Sequence, residues 1–92
     1  MSIPQPTAVP ALRPGYRMQW EPVQNCHVLL YPEGMVKLNE SAAEVLKRVD
    51  GQRSINEIIA ELQACFPSAP ELDEDVLAFM GEAHEQRWIR FR

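Results

Sequence analysis

The sequence is poor in cysteine: Cys26 and Cys65 stand far apart, and no CxxC occurs. That excludes a disulfide framework and a thiolate metal site of ordinary spacing. The two thiols are expected to be free and buried, in keeping with a reducing compartment. Long apolar runs are also missing, so nothing reaches the ~20 residues of a membrane span. The start has neither the basic head nor the continuous apolar stretch of a signal peptide, and the expected compartment is the cytoplasm. Positive charge is not in excess, since 9 Lys/Arg face 13 Asp/Glu for a net charge of −4. Residues 1–52 carry five of each sign, whereas residues 53–92 carry four basic and eight acidic side chains. Nucleic acid, whose phosphates need a basic face, is therefore a poor partner. No G-x-S-x-G, P-loop or G-x-G-x-x-G occurs, and no residues are assigned a catalytic, metal or cofactor role.

What the sequence does have begins with proline. Pro4, Pro6, Pro10 and Pro14 fall in the first fourteen residues, without apolar periodicity. Residues 1–14 are predicted to be a mobile tail, and residues 15–92 the folded domain. After Pro14-Gly15, the run Arg17-Met18-Gln19-Trp20-Glu21 alternates polar and apolar and reads as a half-buried strand that Pro22 ends. Cys26 to Tyr31 is more apolar, as a middle strand should be. In "YPEG", Pro32 suits position i+1 of a type I turn, and Gly34 is expected to take a left-handed position that closes a bulged hairpin. Met35 to Leu38 then folds back antiparallel, giving a three-stranded meander.

Helical spacing takes over at Asn39, a good N-cap. Ala42, Val45, Leu46 and Val49 share one face, and Asp50-Gly51 is expected to stop the helix, with Gly51 at C′. Ser54 and Glu57 form a capping-box pair ahead of Ile55, Ile58, Ile59 and Leu62, with Phe66 one turn on. A third helix is predicted from Leu72 or Asp73, with Asp73, Glu74 and Asp75 in its first turn. Its stripe is Leu72, Val76, Phe79, Met80 and Ala83, with Leu77, His84 and Trp88 to one side. Trp88 to Phe91 reads as a short tail packing back on the body. The fold class is α+β: a three-stranded antiparallel sheet followed by three helices packed on one of its faces.

Two features invite a ligand. The run Met35, Val36, Lys37, Leu38 ends the meander, so one of its edges is free, and an extended peptide can add there as a strand. The third helix carries more apolar residues than one face can bury, and the surplus suits a groove. His27 reads as a partly exposed strand histidine and His84 as solvated surface. Two other functions compete: a winged-helix DNA-binding regulator, disfavoured by the acids opening the third helix, and a carrier stacking a quinone on Trp20, Tyr31 and Trp88. The free edge can also pair with another copy, as a strand-mediated homodimer.

From Arg13 to Ile89 the chain resembles the PQQ biosynthesis protein D family. "LLYPEGMVKLN", Asp50-Gly51, Asp75-Val76 and Trp88-Ile89 carry the likeness. The resemblance implies a winged helix-turn-helix-like fold that binds peptide rather than DNA. The implied role is a RiPP recognition element and peptide chaperone, monomeric when functional, in pyrroloquinoline quinone (PQQ) biosynthesis. It implies as partners the ribosomal precursor peptide (PqqA) and the radical SAM enzyme (PqqE) that cross-links a glutamate and a tyrosine within it. The peptide-binding residues implied are Met35, Val36, Lys37 and Leu38 on the strand and Val76, Phe79, Met80 and Ala83 on the helix.

Overall fold

A computed structural model describes residues 4–92. Strand β1 (Pro10–Leu12) is followed by β2 (Arg17–Glu21), β3 (Cys26–Tyr31) and β4 (Gly34–Lys37). Helices α1 (Glu40–Leu46), α2 (Ile55–Cys65) and α3 (Leu72–Glu85) come next, and β5 (Ile89–Phe91) closes the chain. The meander β2-β3-β4 is antiparallel throughout, with β3 central. Alternation places Met18, Leu29 and Val36 side by side on the face that meets the helices. Behind them the core is built from Leu46, Ile55, Ile58, Leu62, Val76, Met80 and Ile89, all buried.

The local signals act where the sequence puts them. Asn39 Oδ1 accepts from Ala42 N at 2.8 Å and starts α1. Ser54 and Glu57 exchange both capping-box bonds, Glu57 N to Ser54 Oγ at 3.2 Å and Ser54 N to Glu57 Oε1 at 2.8 Å. Three details differ from expectation. Tyr31 pairs directly with Gly34, so Pro32-Glu33 is a two-residue loop without a bulge; Gly34 has φ 156° rather than a left-handed helical value. Helix α1 ends at Lys47, because Arg48 N and Val49 N turn to the tighter acceptors Val45 O and Leu46 O. Gly51 is therefore beyond C′; its φ of +76° serves a crossing where its N–H donates to Pro10 O at 3.1 Å and Ala11 packs close by. Phe66 does not continue the core stripe of α2: it caps the helix and stays 43% exposed.

The largest correction concerns the expected tail over residues 1–14, of which 1–3 lie outside the described residues. Pro10 to Leu12 pair antiparallel with Phe91 to Ile89 in a second, two-stranded sheet. Pro10 is buried, Ile55 N donates to Ala8 O at 2.9 Å, and Arg92 N donates to Val9 O at 2.8 Å. Proline sits here without penalty because β1 has one partner strand only, and an edge strand tolerates a missing donor. Composition suggested disorder; backbone bonds from α2 and β5 hold the segment instead.

The last turn of α3 explains how Trp88 is held. Arg87 takes φ 65°, its N–H donates to His84 O at 3.0 Å, and Trp88 N donates to Ala83 O at 2.9 Å. This is the Schellman pattern, with arginine in the left-handed place glycine usually fills. It turns the chain sharply and lays Trp88 against the body.

Candidate peptide-binding edge and groove

Among the described residues strand β4 borders only β3, and its outer side carries no strand. Register decides which groups point there. Leu38 N donates to His27 O at 2.9 Å, and the ladder continues as Val36 opposite Leu29 and Gly34 opposite Tyr31. Antiparallel pairs alternate, so the N–H and C=O of Leu38, Val36 and Gly34 face β3. Those of Met35 and Lys37 face outward.

Beside this edge lies an open groove of about 1090 Å³. It runs from Lys37, Leu38 and Asn39 past the first turn of α1 to Val76, Phe79 and Ala83 of α3, and Trp20, Phe66, Leu72 and Trp88 add apolar wall. Glu40, Glu44, Asp75 and Glu82 stand among the lining residues, against Lys37 and Lys47. The groove is thus apolar in its floor and acidic in balance. Glu44 is tied by Lys47 Nζ and Arg48 Nη1, both at 3.0 Å, and these bonds hold its carboxyl below the usual carboxylate range. Arg48 also reaches Glu61 at 3.0 Å, which links α1 to α2 beneath the groove's α1 wall.

The eight sequence-predicted residues divide into three groups. Lys37, Leu38, Val76, Phe79 and Ala83 line the groove together. Met35, 46% exposed, and the half-buried Val36 belong to the edge rather than the groove. Met80 has no exposed surface and sits in the core behind Val76 and Ala83. The sequence reading missed Phe66 and Leu72 as groove walls. Pro67 and Pro70 were the available signal, since a helix stopped short by proline leaves its last aromatic without a neighbouring turn.

Other candidates disperse. Tyr31 stacks on Tyr16 with ring centroids 5.4 Å apart and is not among the groove's lining residues, whereas Trp20, edge-on to His27 at 5.1 Å, and Trp88 are, so the three aromatics proposed for a quinone do not all converge. His84 is exposed and leans on Phe91. Cys26 is half-buried and Cys65 exposed rather than both buried, the latter 3.5 Å from an Arg48 nitrogen. Among the described residues no cluster of metal-ligating side chains forms, and no helix is long and apolar enough to cross a membrane.

A family model described as coenzyme PQQ synthesis protein D (PqqD) matches residues 26–89. The chain belongs to the PqqD family. A PqqD-family relative from Pseudomonas aeruginosa strain UCBPP-PA14, named PqqA binding protein, is 58% identical over all 92 residues of both chains. One of the same name from Klebsiella pneumoniae is 52% identical over 88 residues, 96% of each chain. Among solved structures, the PqqD truncation of Methylobacterium extorquens PqqCD superposes with a TM-score of 0.74. It is 33% identical and the match covers 92% of this chain and 97% of that one; it is described as a stand-alone RiPP recognition element. PqqD from Xanthomonas campestris gives a TM-score of 0.57 at 36% identity, covering 87% and 90%. The α+β fold with its three-stranded sheet and three helices is thus that of the family.

Proposed function

We propose that this protein is a peptide-binding adaptor of PQQ biosynthesis: it takes the precursor peptide PqqA as an added strand on β4 and presents it, in the cytoplasm, to the radical SAM enzyme PqqE. The observation that carries the reading is the outward-facing N–H and C=O of Met35 and Lys37 next to an open apolar groove. The names of the relatives, PqqA binding protein, and the description of the Methylobacterium chain as a recognition element support the same ligand.

In this reading the work is divided by position. Met35 and Lys37 pair main chain to main chain, which gives affinity with little dependence on the guest's side chains. Phe79 receives guest side chains in the groove, over a floor backed by the buried Leu38, Val76 and Ala83, and adds selectivity. Val36 and Met80 act from beneath: Val36 keeps β4 on the core, and Met80 holds α3 at its distance from the sheet. Ordering a flexible guest costs about 2–5 kcal/mol of the gross interaction. A net affinity near micromolar, about −8 kcal/mol, lets the guest pass on to an enzyme.

Titration calorimetry with PqqA peptide, combined with amide chemical-shift mapping, tests this. Saturable heat and shifts centred on Met35, Lys37 and Phe79 are expected. Absence of both at high micromolar peptide overturns the reading. Adding PqqE to the labelled complex then tests presentation, which requires a ternary complex.

A further inference from the structure

The sheet has a second edge, opposite β4, with a register of its own. Because His27, Leu29 and Tyr31 direct their backbone groups to β4, Cys26, Val28 and Leu30 direct theirs to Glu21, Gln19 and Arg17 of β2. Met18 and Trp20 therefore point N–H and C=O away from the sheet. Among the described residues no strand lies on that side, and neither N–H reaches a backbone acceptor elsewhere. Trp20 is 48% exposed.

The order Arg-Met-Gln-Trp-Glu is complementary to its own reverse. When two such strands run antiparallel about a two-fold axis at Gln19, Met18 falls opposite Trp20 and Trp20 opposite Met18. These are the two residues with outward backbone groups, so they form the hydrogen-bonded pairs. Arg17 falls opposite Glu21, and Glu21 opposite Arg17, at closely approaching positions on the other face. Among the described residues neither charge has an ion-pair partner within the chain. The ladder also ends itself. The next pair would join Tyr16 to Pro22, but the Tyr16 N–H already donates to Arg13 O at 3.0 Å and proline has no N–H to give.

We propose that β2 is a self-association surface whose occupant is β2 of a second copy of this chain, paired in the Gln19-centred antiparallel register. The product is a six-stranded sheet in the order β4-β3-β2-β2-β3-β4. Both β4 edges stay free at its ends, separated by five strand spacings, roughly 24 Å. A dimer of this kind carries two guest peptides at once, and it differs from one formed through β4, which a guest would displace. Only five residues a side make the contact, below the ~1,000 Å² of a stable interface, so association is weak and rises with concentration. The isologous arrangement also closes on itself and does not propagate into fibres.

Sedimentation velocity of the full chain from micromolar to millimolar concentration tests this, with and without saturating PqqA peptide. Arg17→Glu and Glu21→Arg each place like charges opposite one another at both ends and should weaken association about tenfold. The double reversal Arg17→Glu/Glu21→Arg restores opposite charges and should return it to within about threefold of wild type. Rescue by the double variant, with association that survives added peptide, supports the proposal. A chain monomeric at millimolar concentration overturns it, as do single reversals without effect, a double variant as weak as the singles, or a dimer that peptide dissolves. Peptide binding by the monomer is read separately in the same runs, so failure here leaves the adaptor reading standing.

Discussion

Replacing Lys37 by proline is the sharpest probe of the β4 edge. The N–H of Lys37 faces away from β3, since its neighbour Leu38 donates to His27 O. Proline at 37 therefore deletes no bond within the protein, and an edge strand accepts it. Val36, the residue before it, is already extended, as a pre-proline residue prefers. What is lost is one bond to the guest and, with it, the partner of a guest carbonyl that becomes buried. A net bond contributes about 1 kcal/mol, and a stranded buried acceptor costs another 1–3 kcal/mol. A loss near 2 kcal/mol raises Kd about 30-fold.

The control is Lys37→Ala, which removes the ammonium and keeps the amide. Its charge is exposed, so a change within about threefold is expected. Calorimetry with PqqA peptide gives both constants, and a proton-nitrogen correlation spectrum shows whether the fold survives. If the proline and alanine variants bind alike while both are folded, main-chain pairing at residue 37 is not how the guest is held. Val36→Pro sharpens the comparison from the other side. Its N–H faces Leu29, so proline there should damage the sheet itself.

Phe79→Ala and Met80→Ala should separate binding from stability. Phe79 is half-buried in the groove and its loss should weaken peptide affinity, whereas wholly buried Met80 should cost about 2–5 kcal/mol of stability on denaturant unfolding. Arg87→Gly should raise Tm by roughly 4–8 °C, since relieving a non-glycine left-handed residue is worth about 1 kcal/mol in a domain this small. Deleting residues 1–12 removes β1 and the acceptors for Gly51, Ile55 and Arg92, and should destabilise by about 2–4 kcal/mol; an unchanged unfolding curve would restore the idea of a mobile tail. Glu44, held low by Lys47 and Arg48, should matter on the acid side only. Its contribution is complete above the unfolded carboxylate value and fades as pH falls through the lower folded value, so Glu44→Gln should flatten the fall in Tm below about pH 4.5. The side chain is a third exposed, which keeps the whole effect under about 1 kcal/mol.

What could be seen in the sequence were the features fixed by nearest neighbours. Asn39, the Ser54–Glu57 box, the alternation of β2 and the turn at Pro32 act within a few residues and appear where expected. Features that depend on distant chain were hidden. Pro10 looks like a disorder signal until Phe91 and Gly51 are beside it, and nothing in residues 1–14 announces that pairing. The candidate site is divided along the same line. A free edge follows from being last in a meander, so Met35 to Leu38 were legible; which of their amides point outward is not, because that depends on the cross-strand register. Helical spacing put Val76, Phe79, Met80 and Ala83 on one stripe, yet a stripe has a depth that periodicity does not give. Met80 falls at its centre against the core and Phe79 at its margin over the groove.

The groove stays open because of the path the chain takes after α3. A stripe wider than the sheet can cover would normally be closed by a further element, and the chain after α3 is available for that. The Schellman turn at Arg87 instead sends β5 away to pair with β1, leaving Trp88 as its only contribution to the groove wall. On the adaptor reading, β1 should matter to binding indirectly: by pairing with β5, it keeps the last residues of the chain from competing for the apolar floor. A chain lacking β1 should therefore lose peptide affinity beyond what its unfolded fraction explains, as the released β5 segment competes for Phe79 and its neighbours.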